Sequence, residues 1–482
     1  MKQYDAKEVE ERIRKFWEKE KIYKFDPKSK KKVYSIDTPP PTVSGKMHMG
    51  HAFSYAQQDF ITRYKRMAGF NVFYPFGTDD NGLATIRLIE KEKNVKAFDL
   101  GREKFVKLVL EILKKELRPK YIEDWKKLGM SCEWDIFYTT IDDHCQRISQ
   151  RSFIDLYKKG REYRKRTPFF WCPECQTSIA QVELKDKTQK SKFVYMKFDT
   201  DLGKPIVIAT TRPELMGACV GIFVHPDDKR YKKFAGHKAK IPFYNREVEI
   251  KTNKDVLMDF GSGIVYHCTF GDMDDVEWIE KEKIKPIEIV NKDGKLNEKA
   301  GKYKGMGIKE SREAITEDLE REGKIEKIED IEHVVNVHER CDTDIEILMT
   351  EQWFIKYLDL KKQMLEWGKK LNWYPEFMKV RYENWVKGLK WDWSISRQRF
   401  YGIPIPIWYC KKCSEIILPN EKQLPVDPLK DKPLVKKCPN SKCNSREFMG
   451  EKDVLDTWAT SSLTPQLAIE LMPKNIQGKL CL

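Results

Sequence analysis

Two histidines three residues apart, His48 and His51, follow a stiff turn that reads Pro39-Pro40-Pro41-Thr42-Val43-Ser44-Gly45. The alternating run Val33-Tyr34-Ser35-Ile36-Asp37 before the turn reads as a strand, and the long stretch after it reads as a helix. Both imidazoles therefore stand at a helix N-terminus, where unpaired N–H groups and the positive dipole end make a ready anion site. Side chains at i and i+3 share a helix face, so both rings can reach one phosphate group. A carboxylate, Asp79, sits in Gly77-Thr78-Asp79-Asp80-Asn81-Gly82 at the end of the apolar run Asn71–Phe76. There it can pair with an ammonium group, or it can cap a helix. The cysteines supply a third chemistry. Cys410-x-x-Cys413 with Cys438-x4-Cys443 gives four thiolates in two pairs, which suits tetrahedral structural zinc with no open catalytic position. Cys172-x-x-Cys175 lacks a second cysteine pair; His338 and Cys341 complete a Cys3His set, or the pair is a half-site.

The elements that must hold these groups divide a chain of 482 residues, long enough for roughly two to four domains. A helix over residues 6–20, with Ile13, Phe16 and Trp17 on one face, reads as a lid on the first domain. Two strand-like runs with a helix between them predict an α/β fold with a parallel sheet and ligands at the strands' carboxyl ends. Helical periodicity fills most of 103–160, β-rich runs occupy 193–270, and the composition turns charged and helical at 300–330. An aromatic helical pattern containing Trp385, Trp391 and Trp393 resumes after Thr350-Glu351-Gln352-Trp353-Phe354. These shifts divide the chain into a first α/β part at 1–150, a connector at 151–190, a β-rich part at 191–335 and a return to the first pattern at 336–482. Lys plus Arg exceeds Asp plus Glu by 90 − 75 = 15, which favours a polyanionic partner such as RNA but also fits a basic protein without one. No stretch approaches the roughly 20 apolar residues of a membrane span, and Met1-Lys2-Gln3-Tyr4-Asp5 is not a signal peptide, so a cytoplasmic location with no membrane contact is expected.

The segment from Pro39 to His51, ending His48-Met49-Gly50-His51, resembles the HIGH signature of class I aminoacyl-tRNA synthetases, and its Pro-Pro-Pro form is most similar to the valine enzymes. The resemblance implies an interrupted Rossmann-like parallel sheet, an inserted β-rich editing domain and zinc knuckles. It implies valine activation with ATP and Mg2+, then ligation to tRNA(Val). In that reading His48 and His51 contact the ATP phosphates, Gly50 lies against the adenine or ribose, and Asp79 pairs with the substrate ammonium. Pro40, Pro41 and Trp458, in Asp453-Val454-Leu455-Asp456-Thr457-Trp458-Ala459, bound a small apolar pocket for valine. Such a pocket rejects threonine poorly, and this enzyme class is itself the standing example of that limit. The segments Ala209–Glu214 and Gly261–Asp275 resemble the editing pocket. There Thr210, Thr211 and Arg212 hold the aminoacyl ester and terminal adenosine, and Asp275 anchors the ammonium or orients the attacking water, so that Thr-tRNA(Val) is hydrolysed.

The chain departs from the family at Thr42, where many members carry Asn, and at Asp80-Asn81, where many carry His-Ala. It carries Leu215 and Tyr266 where bacterial valine enzymes tend to have Thr and Lys. The second class I signature, Lys-Met-Ser-Lys-Ser, does not occur. A parallel sheet lacking its later strands would leave an open edge. The expectation is therefore a fragment, or a chain completed by a separate C-terminal synthetase polypeptide. Two other functions fit the residues: a stand-alone hydrolase of mischarged tRNA, and a non-catalytic tRNA-binding subunit.

Overall fold

The computed structural model describes residues 4–478. The chain forms two compact units: one combines the segments up to Tyr163 and from Trp353 onward, and the other is continuous, Arg164–Gln352.

In the first unit, α1 (Ala6–Glu20) starts where the Asp5 carboxylate accepts from the Glu8 N–H at 3.1 Å. Trp17 packs against Tyr23 and receives the Arg63 guanidinium over its ring at 5.2 Å, whereas Phe16 faces solvent and does not belong to the packed face. Next come β1 (Val33–Ser35), α2 (Met49–Met67) and β2 (Asn71–Phe73), with β1 and β2 parallel and Tyr34 opposite Val72. The apolar run does not form one strand. Tyr74 separates β2 from β3 (Pro75–Thr78), because Pro75 has no N–H to give to a ladder.

After α3 (Arg118–Lys127), strand β4 (Glu133–Thr139) pairs in parallel with β3, and a parallel bridge joins Thr42 to Asp79. Strand β4 corrects the expectation of helix through 103–160. Its charges, Glu133 and Asp135, hide the alternation, and Gly129, at φ +82°, turns the chain out of α3. Val72 of β2, Tyr74 between the strands and Phe76 of β3 meet Phe105, Val109 and Trp125 in one core. Trp125 is fully buried and touches His51, Tyr55, Phe76 and Tyr121, so α2 is tied to the sheet through this ring. Burying a ring of that size stabilises by roughly 4–6 kcal/mol as an upper figure.

In the second unit, β5 (Leu184–Phe198) pairs antiparallel with β6 (Ile206–Thr210). A second sheet centres on β7 (Cys219–Val224), flanked by the parallel strand Glu247–Thr252 and antiparallel β8 (Ile264–Cys268). The acidic loop after β8 leads into α4 (Met273–Lys281). The helix Ile308–Arg321 buries Ile315 and Leu319 against Val194, Ile208 and Ile222. The chain is not helical to residue 330: β9 (Ile325–His338) begins five residues earlier and forms a long antiparallel ribbon with β5.

Back in the first unit, Trp385 lies on α6 (Met378–Gly388), which follows α5 (Lys361–Lys369). Trp391 lies outside any helix and Trp393 opens the strand Trp393–Ser394, which corrects their assignment to a helical pattern. The short helix α7 (Thr457–Ser461) follows the strand Val454–Leu455. Among the described residues no helix is long and apolar enough to cross a membrane.

Candidate active site and metal centres

Asp79 ends the line of β3 with 3% of its surface exposed. Its backbone N–H donates to the Pro41 carbonyl at 2.9 Å, and the Val43 N–H donates to its own carbonyl at 3.0 Å. The carboxylate accepts from the Thr140 hydroxyl at 2.8 Å and the Asn81 N–H at 3.2 Å through Oδ1, and from the Thr42 hydroxyl at 3.4 Å through Oδ2. The Thr457 hydroxyl reaches both oxygens, at 3.1 and 2.9 Å. All four donors are neutral, and among the described residues Asp79 has no ion pair. Burial pushes its pKa up, and these four donors oppose the shift. The neighbouring Asp80 differs. Its fully buried carboxylate takes the Arg118 guanidinium, with Nε at 2.8 Å, and burial still raises its pKa to about 6. Two adjacent carboxylates are thus set apart: Asp80 has its cation, and Asp79 has three hydroxyls and one N–H.

Pro41 and Thr457 join Asp79 through these bonds, and Pro40 is buried beside Pro41. Trp458 follows Thr457 at the start of α7, and 47% of it is exposed. Its helix is fixed from behind: Asp456 accepts from Trp458 N–H at 3.3 Å, from Trp393 Nε1 at 3.1 Å and from buried Arg397 at 3.0 Å. The threonines at 42, 140 and 457 carry no signal in the sequence. Their contacts reach up to 378 positions along the chain, and no local pattern marks them.

His48 is the N-cap of α2, as its position after the Pro and Gly turn suggested. The Gly50 N–H donates to His48 Nδ1 at 3.1 Å, and the His48 N–H donates to His51 Nδ1 at 3.3 Å. Each ring therefore spends Nδ1 as an acceptor, which leaves the proton of the neutral imidazole on Nε2. The ring centroids are 3.9 Å apart, and burial, then the nearby His48, hold His51 below the usual imidazole range. Gly50 makes room for this cap, because a Cβ there would stand 2.9 Å from His48 Cε1, in the space the capping ring uses.

In the second unit, the Thr210–Arg212 and Gly261–Asp275 segments meet at Gly271. Arg212 Nη1 donates to the Gly271 carbonyl at 3.3 Å, and the Gly271 N–H donates to Asp275 Oδ2 at 2.8 Å. Arg212 also pairs with Glu346 at 2.6 Å and Glu214 at 3.1 Å, and Arg312 adds a second cation on Glu214 at 2.7 Å. The guanidinium is thus committed to three acceptors before any ligand arrives. Thr210 accepts from the Arg212 N–H at 3.0 Å, while the partly exposed Thr211 hydroxyl makes no hydrogen bond among the described residues. Tyr266 donates to the Arg212 carbonyl at 3.3 Å. Asp275 is buried at the start of α4 and hydrogen-bonds His267, whose ring stacks on Trp278 at 4.3 Å. Burial raises the Asp275 pKa, opposed first by that histidine. His267 is a further residue the sequence did not point to.

Both cysteine sets converge, with the ligand atoms of each within 4.8 Å of one another. Cys410 and Cys443 sulfurs are 3.7 Å apart, and Cys413 and Cys438 sulfurs 3.5 Å. In the other set Cys172–Cys341 is 3.5 Å, Cys175–Cys341 3.8 Å, and His338 Nδ1 lies 3.5 and 3.3 Å from Cys175 and Cys341. A tetrahedron of ligands at zinc's usual bond lengths has edges of about 3.6–3.8 Å, so the donors present suit such an ion in number, type and spacing. Gln176, Asp342 and Ser414, each following a cluster cysteine, adopt positive φ of 49°, 53° and 60°, turning the chain tightly around each set.

The chain matches the family described as tRNA synthetases class I (I, L, M and V) over residues 12–478. It is 49% identical over 483 residues to the valine--tRNA ligase of Thermoplasma acidophilum, covering 98% of this chain and 60% of that protein. It is 45% identical to the valine--tRNA ligase of Haloarcula marismortui, covering 96% and 52%, and 42% identical to that of Rickettsia conorii, covering 97% and 57%. The chain spans between half and two thirds of the length of these relatives. A family match that runs through both units and takes in the helix start at His48, the strand end at Asp79 and both cysteine sets means that this chain belongs to the class I aminoacyl-tRNA synthetases.

Proposed function

We propose that this chain is the valine-activating and proofreading portion of a valine--tRNA ligase, working on ATP, valine and tRNA(Val) in the cytoplasm. The observation that carries the reading is Asp79, a buried carboxylate with four neutral donors and no cation. A free amino acid brings the missing ammonium. Adenylate formation joins the valine carboxylate oxygen to the α-phosphorus of ATP and releases pyrophosphate, so negative charge grows on phosphate oxygens. Two preset Nε2–H donors at a helix N-terminus meet that charge without having to reorganise. Pro40, Pro41 and Trp458 bound the side-chain pocket, and Mg2+ accompanies ATP. The two cysteine sets hold structural zinc, which would brace the turns at 172–176 and 410–414. A loop equivalent to Lys-Met-Ser-Lys-Ser comes from the remainder of the enzyme, in the same or a separate polypeptide.

The second unit reads as the editing site. Support comes from Gly271, which links Arg212 to Asp275, and from the free Thr211 hydroxyl. Arg212 then shapes the loop as well as facing the substrate, and His267 steadies the carboxylate that orients water or ammonium.

Pyrophosphate exchange into ATP tests activation. Valine should stimulate it and leucine should not, in this chain alone or once the remaining length of a relative is supplied. Exchange that valine does not stimulate in either setting contradicts the reading. For editing, Thr-tRNA should be hydrolysed faster than Val-tRNA, with the preference lost in Asp275→Ala. Equal hydrolysis of both by the unaltered chain counts against it.

A further inference from the structure

The helix pair α5 and α6 takes part in none of the sites above. It is locked from inside. A Cβ at Gly368 would stand 2.4 Å from the Tyr382 ring, so the glycine admits that ring, and Tyr382 donates to the Met364 carbonyl at 2.7 Å. Trp373 Nε1 donates to the Gly368 carbonyl at 2.8 Å, and Lys361 Nζ donates to the Lys387 and Leu389 carbonyls at 2.8 and 2.9 Å.

Four large rings remain in solvent: Trp367, Tyr374, Phe377 and Trp385, with Tyr374 89% exposed. The charge around them is one-sided. Lys369 and Lys387 are matched by Glu366 and Glu383. Among the described residues, Lys362, Lys370, Lys379, Arg381 and Lys390 form no ion pair, and Glu376 is the one unmatched carboxylate between 361 and 390. The Arg381 guanidinium lies 5.8 Å over the Phe377 ring. Exposed π faces among unmatched cations are what an unpaired nucleic-acid strand requires, because bases stack on the rings while phosphates meet the cations. A paired duplex hides its base faces and has no use for the rings.

We propose that α5, α6 and the segment joining them form a platform for an unpaired RNA strand, with bases stacked on the exposed rings and phosphates facing the unmatched cations. The identity of the RNA rests on the ligase reading; the strand that fits is an unpaired segment of the tRNA substrate. The test is fluorescence anisotropy of the full chain with a labelled single-stranded RNA of about 12 nucleotides, within the usual site sizes. A blunt RNA hairpin of equal charge, closed by a non-nucleotide linker in place of a loop, is the comparison. The strand should bind more tightly than the hairpin. Trp367→Ala and Tyr374→Ala should each weaken it roughly 5- to 150-fold, with affinity kept in Tyr374→Phe. The double variant Lys370→Gln, Lys379→Gln should lower the salt slope by about 1.4. Calorimetric valine binding should be the same in all variants; its absence from every version would sink the ligase reading while leaving the RNA result to stand. Tyr374, exposed on the surface, can be removed without opening the core. Wild-type strand affinity in both ring variants, or equal affinity for hairpin and strand, would overturn the platform. So would ring variants that lose a dimer but keep RNA binding, since the patch would then belong to a second copy of the chain.

Discussion

Replacing Asp79 with asparagine should move stability and ligand binding in opposite directions. The side chain keeps its shape and one acceptor oxygen, which still serves Thr140 and the Asn81 N–H. The new NH2 faces Thr42 and Thr457, whose hydroxyls can turn from donating to accepting. What disappears is a buried negative charge with no cation, so the free protein should melt at the same temperature or higher. The ammonium of valine loses a charged hydrogen bond worth about 1.5–3 kcal/mol and part of a Coulomb attraction near 4 kcal/mol at an effective dielectric of about 20. A net loss of about 2–4 kcal/mol corresponds to roughly 30- to 1000-fold weaker valine binding. Thermal melts with and without valine, paired with calorimetry, read both effects. The pH dependence adds a signature. Burial raises the folded-state pKa of Asp79 above 3.8, so the free protein loses stability as pH rises from 3.8 through the folded value. A bound ammonium removes that loss, so the valine-induced rise in melting temperature should grow with pH across the same window. Unchanged valine affinity in Asp79→Asn would refute the reasoning. A destabilised variant would show that Asp79 serves the fold instead.

Metal analysis should find two zinc ions per chain, and chelation should lower the melting temperature; fewer than one ion per chain contradicts both assignments. Cys413, the one exposed thiol of its set, should react first with a thiol reagent after metal removal, as read by mass spectrometry. Gly50→Ala pushes a methyl to 2.9 Å from the His48 ring, so it should raise the KM for ATP in pyrophosphate exchange with little effect on the KM for valine. Arg118→Met strips the cation from fully buried Asp80 and should cost about 3–5 kcal/mol in denaturant unfolding. Arg118 holds the Asp80 pKa down to about 6, so the variant's folded-state value lies higher and the charge part of that loss should shrink as pH falls toward about 6.

The groups legible in the sequence are those whose signal is local. The turn Pro39–Gly45 marks the start of α2 because proline and glycine act on their own backbone, and paired cysteines announce themselves by spacing. Asp79 could be placed at a strand end, but the hydroxyls that make its site could not. Thr140 and Thr457 lie 61 and 378 positions away, and a threonine looks the same whether it donates to a carboxylate or to water. Strand β4 is hidden because Glu133 carries a charge into a buried position, where it accepts from the Phe25 N–H at 2.6 Å. The same limit hides His267, whose role depends on Asp275 and the Trp278 ring on the following helix.

Calorimetric titration of this chain with a non-hydrolysable valyl-adenylate analogue reads the proposed pairing of Asp79 with the substrate ammonium. One site per chain is expected, with the valyl compound bound well above the lysyl analogue and marked weakening in Asp79→Asn. No binding, or equal binding of both analogues, would contradict it.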